Sequence, residues 1–415
     1  MVVAAGGVAW MHGARAQPFC AEDLDLAADC GCVSAHGQLA CSITGGDEVA
    51  LQCCAADDRL SGALIELEGN FLLDPAGPGG GFLSLPAGST VRSASWAYGD
   101  AGDPCTLEAA ATIDGSLLAA TNFGKGTVTV GASLQYVRVT NSRRGPCVDV
   151  ISDGLVRGVL TDACFAGVRS SDVNGRGLAV TIERTCARNG NLGMPVTASD
   201  GFSSCPGSPL ILGHPVTDTP GEPGRTHVDI RDSRIVGAAS WGLLVFGGIG
   251  GSGGKARVIL TGTEVSGSGD QNVRVVGGQD AAPDVCPGGD DSSATLILAE
   301  GNTIRNAGTK PTTPNPVGIT IEGGTLGGGV GTPDASSGNV ARVILGAHNV
   351  FKDNRVDVRL MGNWIQNPVV FPAASAGDDN LAELAGNCPA DLIVEALDCL
   401  PSKLDCPSTA RVLCD

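Results

Sequence analysis

The sequence predicts an all-β protein, a single-stranded right-handed parallel β-helix (a solenoid) with disulfide-rich caps at both ends. Three observations predict it: a core composition of small and β-branched residues, an internal repeat of about 21–23 residues, and cysteine clusters near both ends of the chain. Gly contributes 62 of 415 residues and aromatic residues only 4%, whereas 42% of the chain is hydrophobic. Such a core suits stacked strands better than long amphipathic helices.

The repeat is visible in seven segments that begin with alternating apolar residues. They are Leu134–Gly154 and Leu155–Gly175 (21 residues each), Ala179–Gly201, Thr226–Gly248 and Ala256–Gly278 (23 each), Ala294–Gly324 (31, or 23 without the Pro-rich insert 309–316) and Ala341–Gly362 (22). One such unit cannot bury its apolar face alone. We therefore expect the units to stack about 4.8 Å apart around one continuous core.

Alternation within the strands predicts which side chains face that core. The inward positions are expected to be Val228 and Ile230, Val258 and Leu260, Leu296 and Leu298, and Val343 and Leu345. The units end in dipeptides that permit positive φ: 153–154, 174–175, 200–201, 247–248, 277–278 and 323–324. These dipeptides predict sharp corners.

Domain boundaries follow from the same patterns. Residues 1–16 resemble a signal peptide, because a short apolar run precedes Ala14-Arg15-Ala16. Residues 17–64 are predicted to form a Cys-rich N-terminal cap, 65–370 the β-helix and 371–415 a Cys-rich C-terminal cap with short helices within 380–400. Caps are expected because a strand stack exposes open edges at each end.

Sixteen cysteines predict disulfides, and hence a secreted or cell-surface protein that folds in an oxidising compartment. Their spacing does not match paired zinc ligands. The disulfide candidates are Cys20, Cys30, Cys32, Cys41, Cys53, Cys54, Cys164, Cys186, Cys205, Cys286, Cys388, Cys399, Cys406 and Cys414. Adjacent Cys53 and Cys54 are expected to take different partners. Cys164 and Cys186, one unit apart, are expected either to bridge two units or to stay reduced.

Several segments resemble the pectin-lyase-like superfamily of parallel β-helix proteins. GFLSLPAGSTV (81–91) resembles the opening of these proteins, ATIDG (111–115) and VRVTNS (137–142) the following coils, and GNTIRNAG (301–308) and HNVFKDN (348–354) the superfamily's repeat. The similarity covers about residues 65–370. It implies the fold but little about function, because the superfamily includes lyases, hydrolases, epimerases and adhesins. No motif of a specific enzyme family is matched.

Long insertions follow the same strand of successive units, at 202–225, 249–255, 279–293 and 325–340. Stacking would place them on one side of the β-helix. Repeat proteins often bind partners on the face that carries such insertions, although one permissive corner could also accumulate them neutrally. We favour a groove for an extended polymer.

Four residues near this edge are candidates for ligand binding. Asp153, Asp172 and Asp200 close successive units, and stacked carboxylates could bind calcium. The interpretation that we prefer is that Asp precedes Gly in a turn, which requires no cofactor. Trp241 directly precedes a strand at the same edge and could stack on a sugar, but the interpretation that we prefer is that it fills the edge of the core.

Charge and hydropathy exclude some partners. The net charge of −18 disfavours nucleic acid and anionic lipid, and no apolar run is long enough to predict a transmembrane segment. The sequence therefore predicts a secreted or cell-surface protein that binds a polysaccharide or a neighbouring surface component. The alternative is a polysaccharide lyase or glycoside hydrolase acting on an acidic polysaccharide.

Catalysis would need recognisable side chains. A lyase requires a base such as Arg or Lys, and an inverting hydrolase requires paired carboxylates. Available arginines are Arg143, Arg144, Arg157, Arg169, Arg176, Arg184 and Arg188. Nothing in the sequence distinguishes a base among them from ordinary outward strand positions, so catalytic residues are not predicted.

Overall fold

The structure is a computed structural model of the chain. It describes residues 20–21, 23–35, 37–100, 102–118, 126–142, 145–172, 175–198, 224–248, 253–280, 291–309, 316–326, 338–365, 380–395 and 409–414. The described part is mostly strand, which confirms the all-β prediction. No helix in these ranges is long and apolar enough to cross a membrane.

The elements follow one another as short strands with few helices. The helices are α1 (Leu26–Asp29) and α2 (Glu48–Ala55), with 3-10 turns at Asp58–Leu60, Pro78–Gly80 and Pro104–Thr106. The first strands are β1 (Cys32–Ala35), β2 (Gln38–Thr44), β3 (Leu64–Leu72), β4 (Leu83–Ser84), β5 (Thr90–Ser93), β6 (Trp96–Tyr98), β7 (Leu107–Ala109), β8 (Ala111–Asp114), β9 (Val128–Val130), β10 (Ser133–Gln135), β11 (Arg138–Thr140) and β12 (Pro146–Val150). The middle strands are β13 (Gly154–Arg157), β14 (Leu160–Asp162), β15 (Ala166–Asp172), β16 (Leu178–Glu183), β17 (Cys186–Arg188), β18 (Leu192–Ala198), β19 (Arg225–Arg231), β20 (Arg234–Val236), β21 (Trp241–Phe246), β22 (Lys255–Thr261), β23 (Glu264–Ser266) and β24 (Gln271–Asp280). The last are β25 (Ser293–Leu298), β26 (Thr303–Arg305), β27 (Val317–Leu326), β28 (Val340–Leu345), β29 (Val350–Lys352), β30 (Val356–Ile365), β31 (Leu381–Gly386), β32 (Leu392–Glu395) and β33 (Thr409–Cys414).

The strands form three long parallel sheets. Sheet A stacks β2, β3, β5, β10, β13, β16, β19, β22, β25, β28, β31 and β33; sheet B stacks the end of β3 with β8, β11, β14, β17, β20, β23, β26 and β29; sheet C stacks β4, β9, β12, β15, β18, β21, β24, β27, β30 and β32. The seven predicted units correspond to β10–β12 through β28–β30. Each contributes one strand to sheets A, B and C in that order, and each strand pairs in parallel with its counterpart in the next unit.

The predicted inward positions are confirmed. Val228, Ile230, Val258, Leu260, Leu296, Leu298, Val343 and Leu345 are at most 1% exposed, and all belong to one core cluster with side chains from the three sheets. The predicted register of Thr226, Ala256, Ala294 and Ala341 is also confirmed, because these residues are Cα partners in turn. Period-two burial therefore extends in register across four units.

Earlier units differ from the prediction by small shifts in register. Leu134 pairs with Val156 rather than Leu155, and Val156 is fully buried while Leu155 is half-buried. Both residues are apolar, so alternation alone could not decide which of them faces the core. A one-residue slip moves a side chain to the opposite face of a sheet.

The prediction of positive-φ corners at the ends of the units is wrong for most of the described glycines. Among the described members of the predicted pairs, Gly175 alone has a positive φ, of 63°. Gly277 and Gly323 lie inside long strands of sheet C. A Cβ on Gly277 would collide with the carbonyl oxygen of Gly323, and one on Gly323 with that of Gly362. These glycines permit close backbone approach between units.

Buried polar side chains connect the corners between sheets A and B. The Thr185 N–H donates to Ser233 Oγ (3.1 Å), and the Thr263 N–H to Asn302 Oδ1 (3.0 Å). The Asn302 N–H donates in turn to Asn349 Oδ1 (3.1 Å). A buried backbone N–H must find an acceptor, so each unit satisfies the one before it and fixes its register.

The N-terminal end of the stack is stapled by three disulfides. Strands β1 and β2 form an antiparallel hairpin closed by Cys32–Cys41, while Cys20–Cys53 and Cys30–Cys54 hold α2 against it. The prediction that Cys53 and Cys54 take different partners is confirmed.

The C-terminal end carries strands where helices were predicted. Leu381–Gly386 and Leu392–Glu395 pair in parallel with β28 and β30, and Ala382 and Leu384 are fully buried. Alternate burial on the preceding unit therefore overrides the local helical pattern. The disulfide Cys388–Cys414 joins β33 to this end. Cys399 and Cys406 lie outside the described residues.

Two further disulfides lie along the body of the stack. Cys164 pairs with Cys147 and Cys186 with Cys105, so both alternatives for Cys164 and Cys186 are wrong. Cys105 and Cys147 were not among the predicted disulfide residues, because they stand alone in the sequence. Cys205 and Cys286 lie outside the described residues. Six disulfides join all the described cysteines, as expected of a protein that folds in an oxidising compartment.

Candidate functional site: a cationic cleft on sheet A

An open cleft of about 430 Å³ lies where the chain enters sheet A from sheet C. It is lined by Asp153, Arg176, Gly177, Leu178, Ala179, Arg225, Thr226, His227, Lys255 and Arg257. Arg225 and Lys255 are the last residues of two of the segments predicted as insertions, 202–225 and 249–255. The cleft therefore lies at the edge where a binding surface was predicted.

Strand alternation directs the basic side chains into the cleft. Thr226 and Val228 of β19 are buried, so Arg225 and His227 project outward from the same strand. Register places Lys255 beside Arg225 and Arg257 beside His227 on the neighbouring strand β22. Two strands about 4.8 Å apart thus present a block of four basic residues.

Charge in the cleft is strongly unbalanced. Arg176, Arg225, Lys255 and Arg257 are exposed cations, and Asp153 is the single carboxylate among the lining residues. Asp153 Oδ1 accepts the Ala179 N–H at 2.7 Å. The cleft is therefore locally positive on a chain whose net charge is −18.

These four cations differ from the other described arginines and lysines. Arg176, Arg225, Lys255 and Arg257 form no ion pair and no ring contact within the described residues. Elsewhere, outward arginines pair with carboxylates of neighbouring units, as in Arg92–Glu66 (2.6 Å) and Arg305–Glu264 (2.8 Å). Arg184 instead lies over the Tyr98 ring. Among the described arginines and lysines, those without an ion-pair or ring partner therefore lie in one place.

Asp172, a predicted site residue, is buried beneath the cleft and holds its backbone in place. Its side chain is 3% exposed, and its carboxylate accepts the N–H groups of Gly177 (2.9 Å), Arg225 (2.8 Å) and Arg176 (3.2 Å). One buried carboxylate thus holds the backbone of two cleft arginines that come from different units. Its role here is to position the backbone of the cleft.

His227 adds a titratable group beside the arginines. Its Nε2 lies 3.5 Å from Asp229 Oδ1, and Asp229 also pairs with Arg231 at 2.9 Å. The side chain of His227 is 44% exposed, so both water and a ligand can reach it.

The calcium prediction concerned Asp153, Asp172 and Asp200. The described oxygens of the first two accept backbone N–H groups, and Asp200 lies outside the described residues. Within the described residues there is no cluster of three or more His, Cys, Asp or Glu side chains that could hold a metal ion. Calcium binding at the three aspartates stays a prediction.

Trp241 lies apart from the cleft, on strand β21 of sheet C. The Arg274 guanidinium covers its ring at 4.9 Å from the ring centre. The same guanidinium makes a bidentate pair with Glu322, with contacts of 2.9 and 2.7 Å, and both side chains are buried. The structure therefore places Trp241 in a packed layer against an ion pair.

Most of the arginines considered as bases are already engaged. Arg157 pairs with Glu183, Arg169 with Asp149 and Arg188 with Asp162. Arg176 alone lies in the cleft, and Arg143 and Arg144 lie outside the described residues. The sequence did not identify Arg225, His227, Lys255 or Arg257. Aligning Thr226 with Ala256 would have placed these residues side by side, as two basic positions on each of two neighbouring strands.

Comparisons with protein-family models, with curated proteins and with solved structures find no match to this chain. The function is therefore argued from the chemistry of the cleft.

Proposed function

We propose that the chain is a secreted or cell-surface right-handed parallel β-helix of the pectin-lyase-like superfamily that binds an acidic polysaccharide in the cationic cleft. The fold part rests on the order of strands in each unit, A then B then C, and on unit lengths near 23 residues. The ligand part rests on one observation: the four cations that have no ion-pair partner among the described residues line the same cleft.

The arrangement of the cations favours an external anion. Like charges on directly paired strand positions repel one another, which costs stability unless a counter-charge intervenes. Arg225 and Lys255 are such a pair. Carboxylate or sulfate groups fit, because arginine binds planar or tetrahedral oxyanions with two parallel hydrogen bonds.

Charge density favours a polysaccharide over a nucleic acid. Duplex DNA carries one charge per about 1.7 Å, so it would meet the negative surface beyond the cleft with many uncompensated phosphates. An acidic polysaccharide carries at most a few charges per sugar. A small positive cleft on an anionic protein suits that lower density and discriminates against denser polyanions.

The shape of the cleft suits an extended chain. The cleft is open rather than enclosed, and its cations follow the stacking direction from β16 to β22. A polymer can lie across several strands without burying its ends. An enclosed small-molecule site would instead bury most of its ligand.

The cleft supports binding better than hydrolysis. Inverting hydrolysis needs two carboxylates flanking the bond, whereas the described lining contains Asp153 alone, and this residue already accepts a backbone N–H. Elimination from a uronate needs a base, and His227 and the arginines are the groups present. The binding experiment must therefore also detect lyase activity.

The test compares the affinity of three proteins for acidic polymers. Polygalacturonate, alginate and heparin are titrated at low salt against the wild type, the double variant Arg225→Gln/Lys255→Gln and the control Arg138→Gln/Arg305→Gln. The control removes the same charge, but from arginines whose carboxylates each keep a second arginine. We expect at least one polymer to bind, the cleft variant to bind it about tenfold or more weakly, and the control to bind it like the wild type.

Two results would overturn the proposal. Equal weakening in the cleft variant and the control would show that only net charge matters. Binding of none of these polymers by the wild type would remove the ligand class. Ultraviolet absorbance from an unsaturated uronate product, lost in the cleft variant, would instead replace binding with lyase activity.

A further inference from the structure

Aromatic residues are scarce in this chain, yet three of them lie together. Two are on the hairpin of strands β6 and β7, and the third follows strand β10. The sequence contains two tyrosines and four tryptophans. Trp96 stacks on Tyr136 with ring centres 3.9 Å apart and planes 3° from parallel, and Tyr98 lies on the same strand as Trp96. Trp96 is nevertheless 40% exposed. We call the Trp96–Tyr136 pair the aromatic platform.

The hairpin that carries Trp96 is anchored at several points. Strands β6 and β7 pair antiparallel, and between them Cys105 forms a disulfide with Cys186 of sheet B. The Arg234 guanidinium pairs with Asp103, and the Arg188 guanidinium donates to the Cys105 carbonyl at 3.3 Å. The hairpin is therefore fixed to the strand stack, which holds Trp96 in place before any ligand arrives.

Leu107 of β7 packs the buried side of the hairpin against sheet B. It is 7% exposed and packs with Leu160 and Cys186 of sheet B, against which Tyr98 also packs. The apolar side of the hairpin is thus already covered by the protein. Trp96 lies on the same face of the hairpin as Tyr98, opposite Ala109, but it is not part of this cluster and stays 40% exposed.

Tyr136 supports the platform from the corner that follows strand β10. Its φ is 54°, in the left-handed region that bulky residues rarely adopt. The following unit has Gly158 after its sheet A strand, and a Cβ there would approach the Tyr136 ring to 2.5 Å and Tyr98 Oη to 2.9 Å. The backbone is thus shaped to leave room for both tyrosine rings. The same left-handed conformation recurs after the sheet A strand of the following units, at Gly158, Arg184, Asp232 and Gly262, so it is the regular corner between sheets A and B.

We propose that the exposed face of Trp96 stacks on a pyranose ring of the polysaccharide. The axial C–H groups of a pyranose form an apolar face that matches an aromatic ring, while its hydroxyls need polar neighbours. The Arg157–Glu183 ion pair (2.8 Å) on the two units after Tyr136 supplies such neighbours. Strand geometry puts the platform roughly 25 Å from the cationic cleft, within reach of one oligosaccharide. This inference rests on the proposed function.

The test uses neutral polymers, which the cationic cleft cannot attract. Carboxyl-reduced polygalacturonate, xylan, mannan and β-glucan are titrated against the wild type, Trp96→Ala, Trp96→Phe and the control Trp241→Phe. We expect the wild type to bind at least one of them and Trp96→Ala to bind it about tenfold more weakly. Trp96→Phe, which keeps a smaller ring, should lose less, and Trp241→Phe should match the wild type. Mass spectrometry of the Cys105–Cys186 peptide verifies that each variant has folded.

The experiment distinguishes binding at the aromatic platform from binding in the cationic cleft. If Trp96→Ala binds neutral polymers as tightly as the wild type, or if no neutral polymer binds, the platform is overturned. If Trp96→Ala abolishes self-association in sedimentation without changing glycan binding, Trp96 serves an interface between copies and the sugar site is overturned. Arg225→Gln/Lys255→Gln should leave neutral binding unchanged, so the cleft can fail while the platform stands, or the reverse.

Discussion

Arg225 and Lys255 are Cα partners on neighbouring strands of sheet A, and neither side chain forms an ion pair within the described residues. The equivalent relationship elsewhere on this sheet joins opposite charges, as between Glu66 and Arg92 or between Arg157 and Glu183. A structural explanation would favour opposite charges at every such pair. Two adjacent cations are better explained by an external anion.

Neutralising these cations should therefore stabilise the protein. Arg225→Gln/Lys255→Gln removes a like-charge pair, so we expect the free energy of unfolding to rise by about 0.2–1 kcal/mol at low salt. Denaturant unfolding measures the change, which should shrink as salt screens the repulsion.

The matched comparison is Arg138→Gln/Arg305→Gln, which removes cations that hold Asp162 and Glu264. We expect no gain or a small loss of stability, because partly exposed ion pairs contribute at most about 1 kcal/mol. A stability gain of equal size in both double variants would show that the effect does not come from the like-charge pair in the cleft.

The buried pair of Arg274 and Glu322 should be costly to break. Arg274→Met leaves the buried Glu322 carboxylate without its bidentate partner, so we expect a loss of about 3–5 kcal/mol in the free energy of unfolding. Replacing both residues with Met should recover most of that loss. The comparator Arg157→Met breaks a partly exposed pair and should cost about 1 kcal/mol or less. A double variant as unstable as the single one would contradict the charge explanation.

Asp357 should lower stability at neutral pH. Burial raises the pKa of this carboxyl group, the hydrogen bond from Asn354 (3.2 Å) lowers it only in part, and the Asp391 charge raises it further. A raised pKa in the folded state means that stability falls as pH rises from the unfolded pKa, about 3.9, through the folded one. Asp357→Asn should therefore be more stable than the wild type at pH 7, with the gap closing below about pH 4.

The contribution of Asp162 to stability should change with pH in the opposite direction. Burial alone would raise its pKa, but hydrogen bonds from Asn189 and Arg188, together with the charges of Arg188 and Arg138, bring the net pKa below its ordinary value. Its stabilising contribution is present above the unfolded pKa and is lost as pH falls through the folded one. Asp162→Asn should therefore lower stability at pH 7. Urea midpoints measured from pH 3 to pH 7 check both signs.

The sequence was informative wherever the signal is local and periodic. Val258 and Leu260 were assigned to the core because alternation along one strand determines which face is buried. The same logic failed at Leu155, where two apolar residues are adjacent. It also failed at Leu381–Gly386, where pairing with the preceding unit outweighs a helical pattern.

The candidate site was only partly predictable. Its edge was identified from the insertions, but Arg225 and Lys255 had been assigned to the ends of those insertions, where side chains have no defined direction. Whether a cation has a counter-charge depends on residues of other units, as the pairing of Arg234 with Asp103 shows. The contact between Trp96 and Tyr136 likewise joins different units and has no local signal.

The most direct test of the central claim is the salt dependence of polysaccharide binding. The affinity of the wild type for the acidic polymer that it binds is measured across ionic strength, beside Arg225→Gln/Lys255→Gln and Arg138→Gln/Arg305→Gln. If the unpaired cations bind the polymer, the slope of log Kd against log salt becomes shallower only in the cleft variant, by up to roughly one for each cation removed. The same slope in all three proteins would contradict the proposed role of the cleft.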